Sequence, residues 1–106
     1  MTYDIAFEAL GDPTRRHILN RLRGGPCSVT ALAAGLPVSR PAVSQHLKIL
    51  KEAGLVIDEA AGARRLYRAA PGGMMALRGW LDDFWNQVFA EYEAEIQRQM
   101  DERRYT

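Results

Sequence analysis

One segment constrains this chain more than any other: Ser39-Arg-Pro-Ala-Val-Ser-Gln-His-Leu-Lys-Ile-Leu-Lys-Glu-Ala-Gly-Leu-Val56. Val43, Leu47 and Leu50 recur at the three- and four-residue spacing of one helical face, and such a face demands a core. Ser39 is placed to cap that helix. Pro41 fits its first turn, where a missing N–H costs nothing, and Gly54 ends it. Arg40, Ser44, Gln45, Lys48 and Lys51 fall elsewhere on the helix, with no carboxylate among them. Hydroxyl, amide and cationic groups on one short helix match the base edges and phosphates of a DNA major groove.

A chain of 106 residues is long enough for one domain, 1–106, with a modest core. The longest apolar runs fall well short of the ~18 residues of a membrane span, so no membrane partner is expected. The N-terminus carries none of the basic and apolar regions of a secretory signal. A single cysteine excludes an internal disulfide framework, and together these features point to the cytoplasm. The formal net charge of +1 hides a division. Through residue 70 there are ten Lys/Arg against six Asp/Glu, and beyond it four against seven. A basic binding surface and a C-terminal element with a different task follow from that asymmetry.

The spacing predicts a mainly α chain, an α+β winged helix-turn-helix with four short helices, a two-stranded wing and a long C-terminal helix. Residues 3–24 read as two helices. Ile5, Phe7, Ala9 and Leu10 form the first, Asp12 and Pro13 start the second, and Gly24-Gly25-Pro26 stops it. Residues 28–54 read as the helix-turn-helix, with Ser28 capping its first helix and Gly35-Leu-Pro-Val38 as the turn. Residues 55–70 read as a hairpin, with extended runs Leu55–Glu59 and Arg65–Arg68 around Ala60-Ala-Gly-Ala63. Pro71-Gly-Gly73 is expected to break the chain before a helix over 74–104. In a winged helix the second helix of the pair enters the major groove, and a basic hairpin tip reaches neighbouring phosphates or the minor groove.

Phe7-Glu-Ala-Leu-Gly-Asp-Pro-Thr-Arg-Arg-His-Ile-Leu19, Val38-Ser-Arg-Pro-Ala-Val-Ser-Gln-His-Leu-Lys-Ile-Leu50 and Ala53-Gly-Leu-Val56 together resemble the ArsR/SmtB repressors. The resemblance is close over residues 5–70, and the long last helix agrees in position. It implies a homodimeric repressor that binds operator DNA and releases it, or fails to bind, on a signal. The family's familiar thiolate site is a Cys-x-Cys at the start of the third helix, which falls here on Ser28 and Thr30. Cys27 lies one residue out of register. Another familiar site uses Asp, His and Glu on the last helix, where residues 74–106 contain no histidine. Cys27, His17 and His46 sit in three separate elements. The chain therefore resembles the metal-free members, including autorepressors, and no cofactor is implied.

The expected DNA-contacting set is Ser39, Arg40, Pro41, Ser44, Gln45, His46, Lys48 and Lys51 on the reading helix, with Arg64 and Arg65 on the wing. Arg40 and Gln45 can bond bidentately to purines, whereas Ser39, Ser44, Lys48 and Lys51 suit the backbone. His46 borders the apolar stripe, so a structural role stands beside the contact role. Arg15 and Arg16 suit phosphates or solvent equally. Tyr67 reads as a core or strand aromatic. Cys27 is a candidate redox thiol, since a helix start can lower a thiol pKa; an inert small side chain is the plainer reading.

On the last helix Leu77, Trp80, Leu81, Phe84, Trp85, Val88, Tyr92 and Ile96 recur at helical spacing, with Phe89 widening the stripe. Three short helices cannot absorb so many large apolar groups, so a partner surface is implied. A symmetric dimer through Leu77, Trp80, Leu81, Phe84, Trp85, Val88 and Tyr92, with Ile5 and Phe7, is the simplest solution. An aromatic ligand pocket at that interface is the alternative. The expected function is a sequence-specific, homodimeric repressor on an inverted-repeat double-stranded DNA operator, its effector unknown. The rivals are a winged-helix protein-interaction module and a thiol-responsive repressor using Cys27. No Ser/His/Asp set, Gly-rich phosphate loop or carboxylate cleft points to an enzyme.

Overall fold

The computed structural model describes residues 2–105, and side chains from Asp4 to Arg104. Seven elements follow one another: α1 (Thr2–Leu10), α2 (Pro13–Leu22), α3 (Val29–Ala34), α4 (Arg40–Glu52), β1 (Val56–Ala61), β2 (Arg64–Ala69) and α5 (Pro71–Tyr105). The caps read from the sequence are in place. Asp12 accepts from the backbone N–H groups of Thr14 and Arg15 at 2.8 and 3.1 Å, Ser28 from Ala31 at 3.2 Å, and Ser39 from Ala42 at 3.3 Å. Each cap satisfies amides that the first helical turn leaves without a partner.

The core forms where α2, α3 and α4 meet. Ile18, Leu32, Val43, Leu47 and Leu50 are at most 1% exposed, and full burial of each such side chain contributes about 1.5–3 kcal/mol. Ala6 and Ala9 of α1, Leu55 and Val56, and Leu77 of α5 close the cluster. The end of α4 is a Schellman turn: Gly54 N–H donates to Lys51 O and Leu55 N–H to Leu50 O, both at 3.0 Å, and Gly54 has φ +76°. Leu55 and Leu50 are both fully buried, the apolar contact that accompanies this motif.

The wing is an antiparallel hairpin with Val56 opposite Ala69, Asp58 opposite Tyr67 and Ala61 opposite Arg64. Its strands are longer than the sequence suggests, because Ala60 and Ala61 pair across the ladder instead of looping. The loop shrinks to Gly62-Ala63, with a positive φ at Gly62 alone, the pattern of a type II′ hairpin turn. A short bridge joins the loop before α3 to the wing, where Cys27 and Tyr67 exchange backbone hydrogen bonds of 2.9 and 2.8 Å. Tyr67 packs against the core.

Pro71-Gly-Gly73 does not break the chain: it is the first turn of α5. Proline is favoured at a helix start, and Gly73 is there because α5 lies directly on the turn after α4. A Cβ at Gly73 would overlap the carbonyl oxygen of Gly54. α5 continues past Leu77 along α1 and then projects from the body, and the whole molecule measures 75 × 25 × 23 Å. No helix among the described residues is long and apolar enough to cross a membrane.

Candidate nucleic-acid interface

α4 has the two faces its sequence requires. Val43, Leu47 and Leu50 point into the core, while Ser39, Arg40, Pro41, Ser44, Gln45, Lys48 and Lys51 are exposed. Among the described residues Ser44, Gln45 and Lys48 have no side-chain partner, so their donors and acceptors are free for an incoming ligand. Arg40 leans back to α3, its guanidinium donating to the Thr30 hydroxyl at 3.4 Å. Ser39 uses its hydroxyl as the cap of α4, which leaves an exposed oxygen at the helix N-terminus.

His46 is half-buried beside α2. An Arg15 guanidinium nitrogen lies 3.4 Å from its Nδ1. Guanidinium can only donate, so Nδ1 is the acceptor in this contact. The same Arg15 donates to Ala9 O at 2.6 Å and Glu8 O at 3.2 Å, and Arg16 donates to Leu10 O at 2.7 Å. The two arginines therefore satisfy carbonyls at the end of α1, and Arg15 also links that end to α4. Cations at a helix C-terminus are favoured by its dipole. The sequence suggested phosphate contact or solvent for this pair and missed the capping role, because nothing local records which helix end lies six residues back in space.

Lys51 and Arg65, both expected at DNA, meet on Asp58 instead. Lys51 Nζ lies 2.7 Å from Oδ1 and Arg65 Nε 2.6 Å from Oδ2. The hydrogen bonds from Lys51 and then Arg65 hold the Asp58 carboxyl down at about 2, and the carboxylate in turn raises the Arg65 guanidinium. The sequence analysis missed Asp58, although a signal was present. Strand alternation puts it on the same inward face as buried Val56. The same alternation places Arg64 and Arg65 on opposite faces of the ribbon, and among the described residues Arg64 has no ion-pair partner. The Asp12 carboxyl is also lowered, chiefly by the Arg15 amide and then by that of Thr14.

The positions aligned with the family's thiolates have other work. Ser28 is a buried helix cap and Thr30 braces Arg40. Cys27 is half-buried, with its thiol toward Gly25 O at 3.6 Å. His17 is exposed on α2. Among the described residues no three His, Cys, Asp or Glu side chains gather as a ligand set.

The apolar stripe of α5 divides. Leu77 is 3% exposed and belongs to the protomer's own core, which corrects its expected place on a dimer face. Trp80, Leu81, Phe84, Trp85, Val88, Phe89, Tyr92 and Ile96 are 37–66% exposed, as are Ile5 and Phe7 of α1. Phe7 packs edge-on against Trp80 at 5.3 Å, and Trp80 stacks on Phe84 at 5.4 Å, so the two helices share one aromatic surface.

The sequence profile of the bacterial regulatory proteins of the arsR family matches residues 12–58, from the Asp12 cap to the Asp58 carboxylate. The chain is 52% identical over 99 residues to the HTH-type transcriptional regulator Rv2034 of Mycobacterium tuberculosis, covering 93% of this chain and 92% of that one. It is 35% identical over 81 residues to the transcriptional repressor SdpR of Bacillus subtilis, covering 76% and 90%. Its fold is similar to the homodimeric winged helix-turn-helix DNA-binding domain of Mb0332 from Mycobacterium bovis. The TM-score there is 0.66 and the identity 26%, with 85% of this chain and 79% of that one covered.

Proposed function

The chain belongs to the ArsR family of bacterial regulatory proteins, winged-helix transcriptional regulators and not enzymes, and on that premise we propose that it is a homodimeric repressor of transcription. It binds an inverted-repeat operator in the cytoplasm and occludes polymerase. The observation that carries this reading is the free outer face of α4. Ser44, Gln45 and Lys48 project without partners beside the wing, on the second helix of a helix-turn-helix. Gln45 and Arg40 read base edges, while Ser39, Ser44, Lys48 and the wing's Arg64 hold the backbone.

The exposed aromatic face shared by α1 and α5 supports the dimer, as does the homodimeric assembly of the similar Mb0332 domain. A two-fold axis through α5 sets two copies of α4 about one DNA turn, roughly 34 Å, apart. Ser28 and Thr30 at the positions aligned with the family's thiolates speak against that metal trigger in this chain. Cys27 remains the thiol with which an oxidant would react.

Gel-shift titrations of upstream fragments across salt concentrations test the reading. Binding that weakens steeply with salt is expected. Gln45→Ala should relax preference at one base pair by about 1–3 kcal/mol, whereas Lys48→Ala should weaken all sequences alike. Unchanged operator preference in Gln45→Ala would remove that residue from the readers. No salt-dependent shift with any fragment would favour a protein-interaction module instead.

A further inference from the structure

We propose that Asp58 is a positioning residue that tunes DNA affinity and its salt dependence by holding Lys51 and Arg65 away from DNA phosphates. The role presupposes the DNA-binding reading above and goes beyond it, since Asp58 touches no base. Lys51 ends the reading helix and Arg65 lies on the inner face of the wing, two cations flanking the surface that meets DNA. Both remain more than half exposed, with side chains 55% and 58% accessible, and could otherwise reach a backbone oxygen. The carboxylate between them is only 6% exposed and is bonded at 2.7 and 2.6 Å, one cation on each oxygen.

Exposed ion pairs are weak because water competes for both partners. Here water reaches one side only. A cation that moved to a phosphate would give up a charge-assisted bond of 2.7 or 2.6 Å to the carboxylate that both share. Lys51 and Arg65 therefore stay on Asp58 when DNA arrives. Non-specific binding consists of phosphate neutralisation, whereas operator binding also draws on base contacts. Withholding two cations lowers the phosphate term of both modes, so affinity and salt dependence fall on operator and random DNA alike. The same clamp fixes the wing against the last turn of α4 and so sets where Arg64 lies.

The test compares wild type with Asp58→Asn on two duplexes across salt: the upstream fragment wild type shifts most tightly, and a random sequence of equal length. Asn cannot hold two cations by charge. The salt slope on random duplex is expected to steepen by about 0.9 for each cation released, up to about 1.8. The slope on the operator fragment should steepen by the same amount, with preference between the two duplexes unchanged. A wild-type slope in folded Asp58→Asn overturns the proposal. The double variant Lys51→Gln/Arg65→Gln gives an independent arm should Asp58→Asn not fold. It should keep the wild-type slope on random duplex, and a loss of about 0.9 or more would mean that these cations already contact phosphate. Wild type that binds no fragment in a salt-dependent way overturns the DNA-binding reading itself, whereas binding with unaltered slopes in Asp58→Asn overturns only the role of Asp58.

Discussion

Residues 12–70 and the helix that follows them bury their apolar groups in opposite ways. In the first region the large aliphatic side chains close on one another, with Ile18, Leu32, Val43, Leu50 and Leu55 fully buried. In α5 only Leu77 does so, and both tryptophans stand 41% and 48% exposed. The hydrophobic effect acts on both sets alike. The difference is that the helix-turn-helix and wing surround their own core, while a 35-residue helix about 52 Å long projects past anything in its own chain that could cover it. One region is complete in a single copy. The other leaves a long apolar face open to solvent.

That contrast is broken or sharpened by substitutions on either side of it. Leu50→Ala should cost about 3–5 kcal/mol of folding stability, the upper part of the range for a fully buried leucine, and denaturant unfolding measures it. A loss below about 1 kcal/mol would mean that the core is looser than its burial implies. Phe84→Glu/Trp85→Glu should leave the winged fold intact by circular dichroism. Its dimer should dissociate at least a hundredfold more readily in analytical ultracentrifugation, about 2.7 kcal/mol, because buried aromatic anchors dominate such interfaces. A dimer of unchanged affinity would move the interface off α5.

The smallest effect expected is a pH dependence confined to the first region. The Asp58 carboxyl lies at about 2 against 3.8 for the free group. A depressed carboxyl contributes stability that is present above its unfolded value and lost as pH falls through its folded one. The difference in melting temperature between wild type and Asp58→Asn should therefore be constant above about pH 5 and shrink between about pH 4 and pH 2. A difference that does not change across that window would show that the two cations no longer hold the carboxylate.

What could be read without coordinates divides along the same line. Caps and core positions of α2 to α4 are local signals: Asp12, Ser28 and Ser39 each sit where a helix starts, and Val43, Leu47 and Leu50 keep one period. The aromatic period of α5 was equally legible as a face. Leu77 was wrongly grouped with it, because periodicity alone cannot say at which residue a helix leaves its own protein. Side-chain partners were the least accessible level. Arg15 reaches back to α1 and across to His46, and Lys51 and Arg65 converge on Asp58, through turns whose geometry no neighbouring residue encodes. Pro71-Gly-Gly73 read as a break for a related reason. Low helix propensity was visible, and the contact that requires a missing Cβ was not.

That contact has a mechanical side. Gly73 rests on the peptide of Gly54, so the first turn of α5 and the turn that ends α4 touch backbone to backbone. Side chains usually act as the soft layer between packed elements, taking up small displacements by changing rotamer. Here the nearest atoms to Gly73 are those of the Gly54 peptide, with the Leu55 side chain beside them. If α5 shifts at this end, either the C-terminus of α4 moves with it or the two peptides separate. Two glycines thus make a stiff joint between α5, which carries the open aromatic face, and the turn that ends α4.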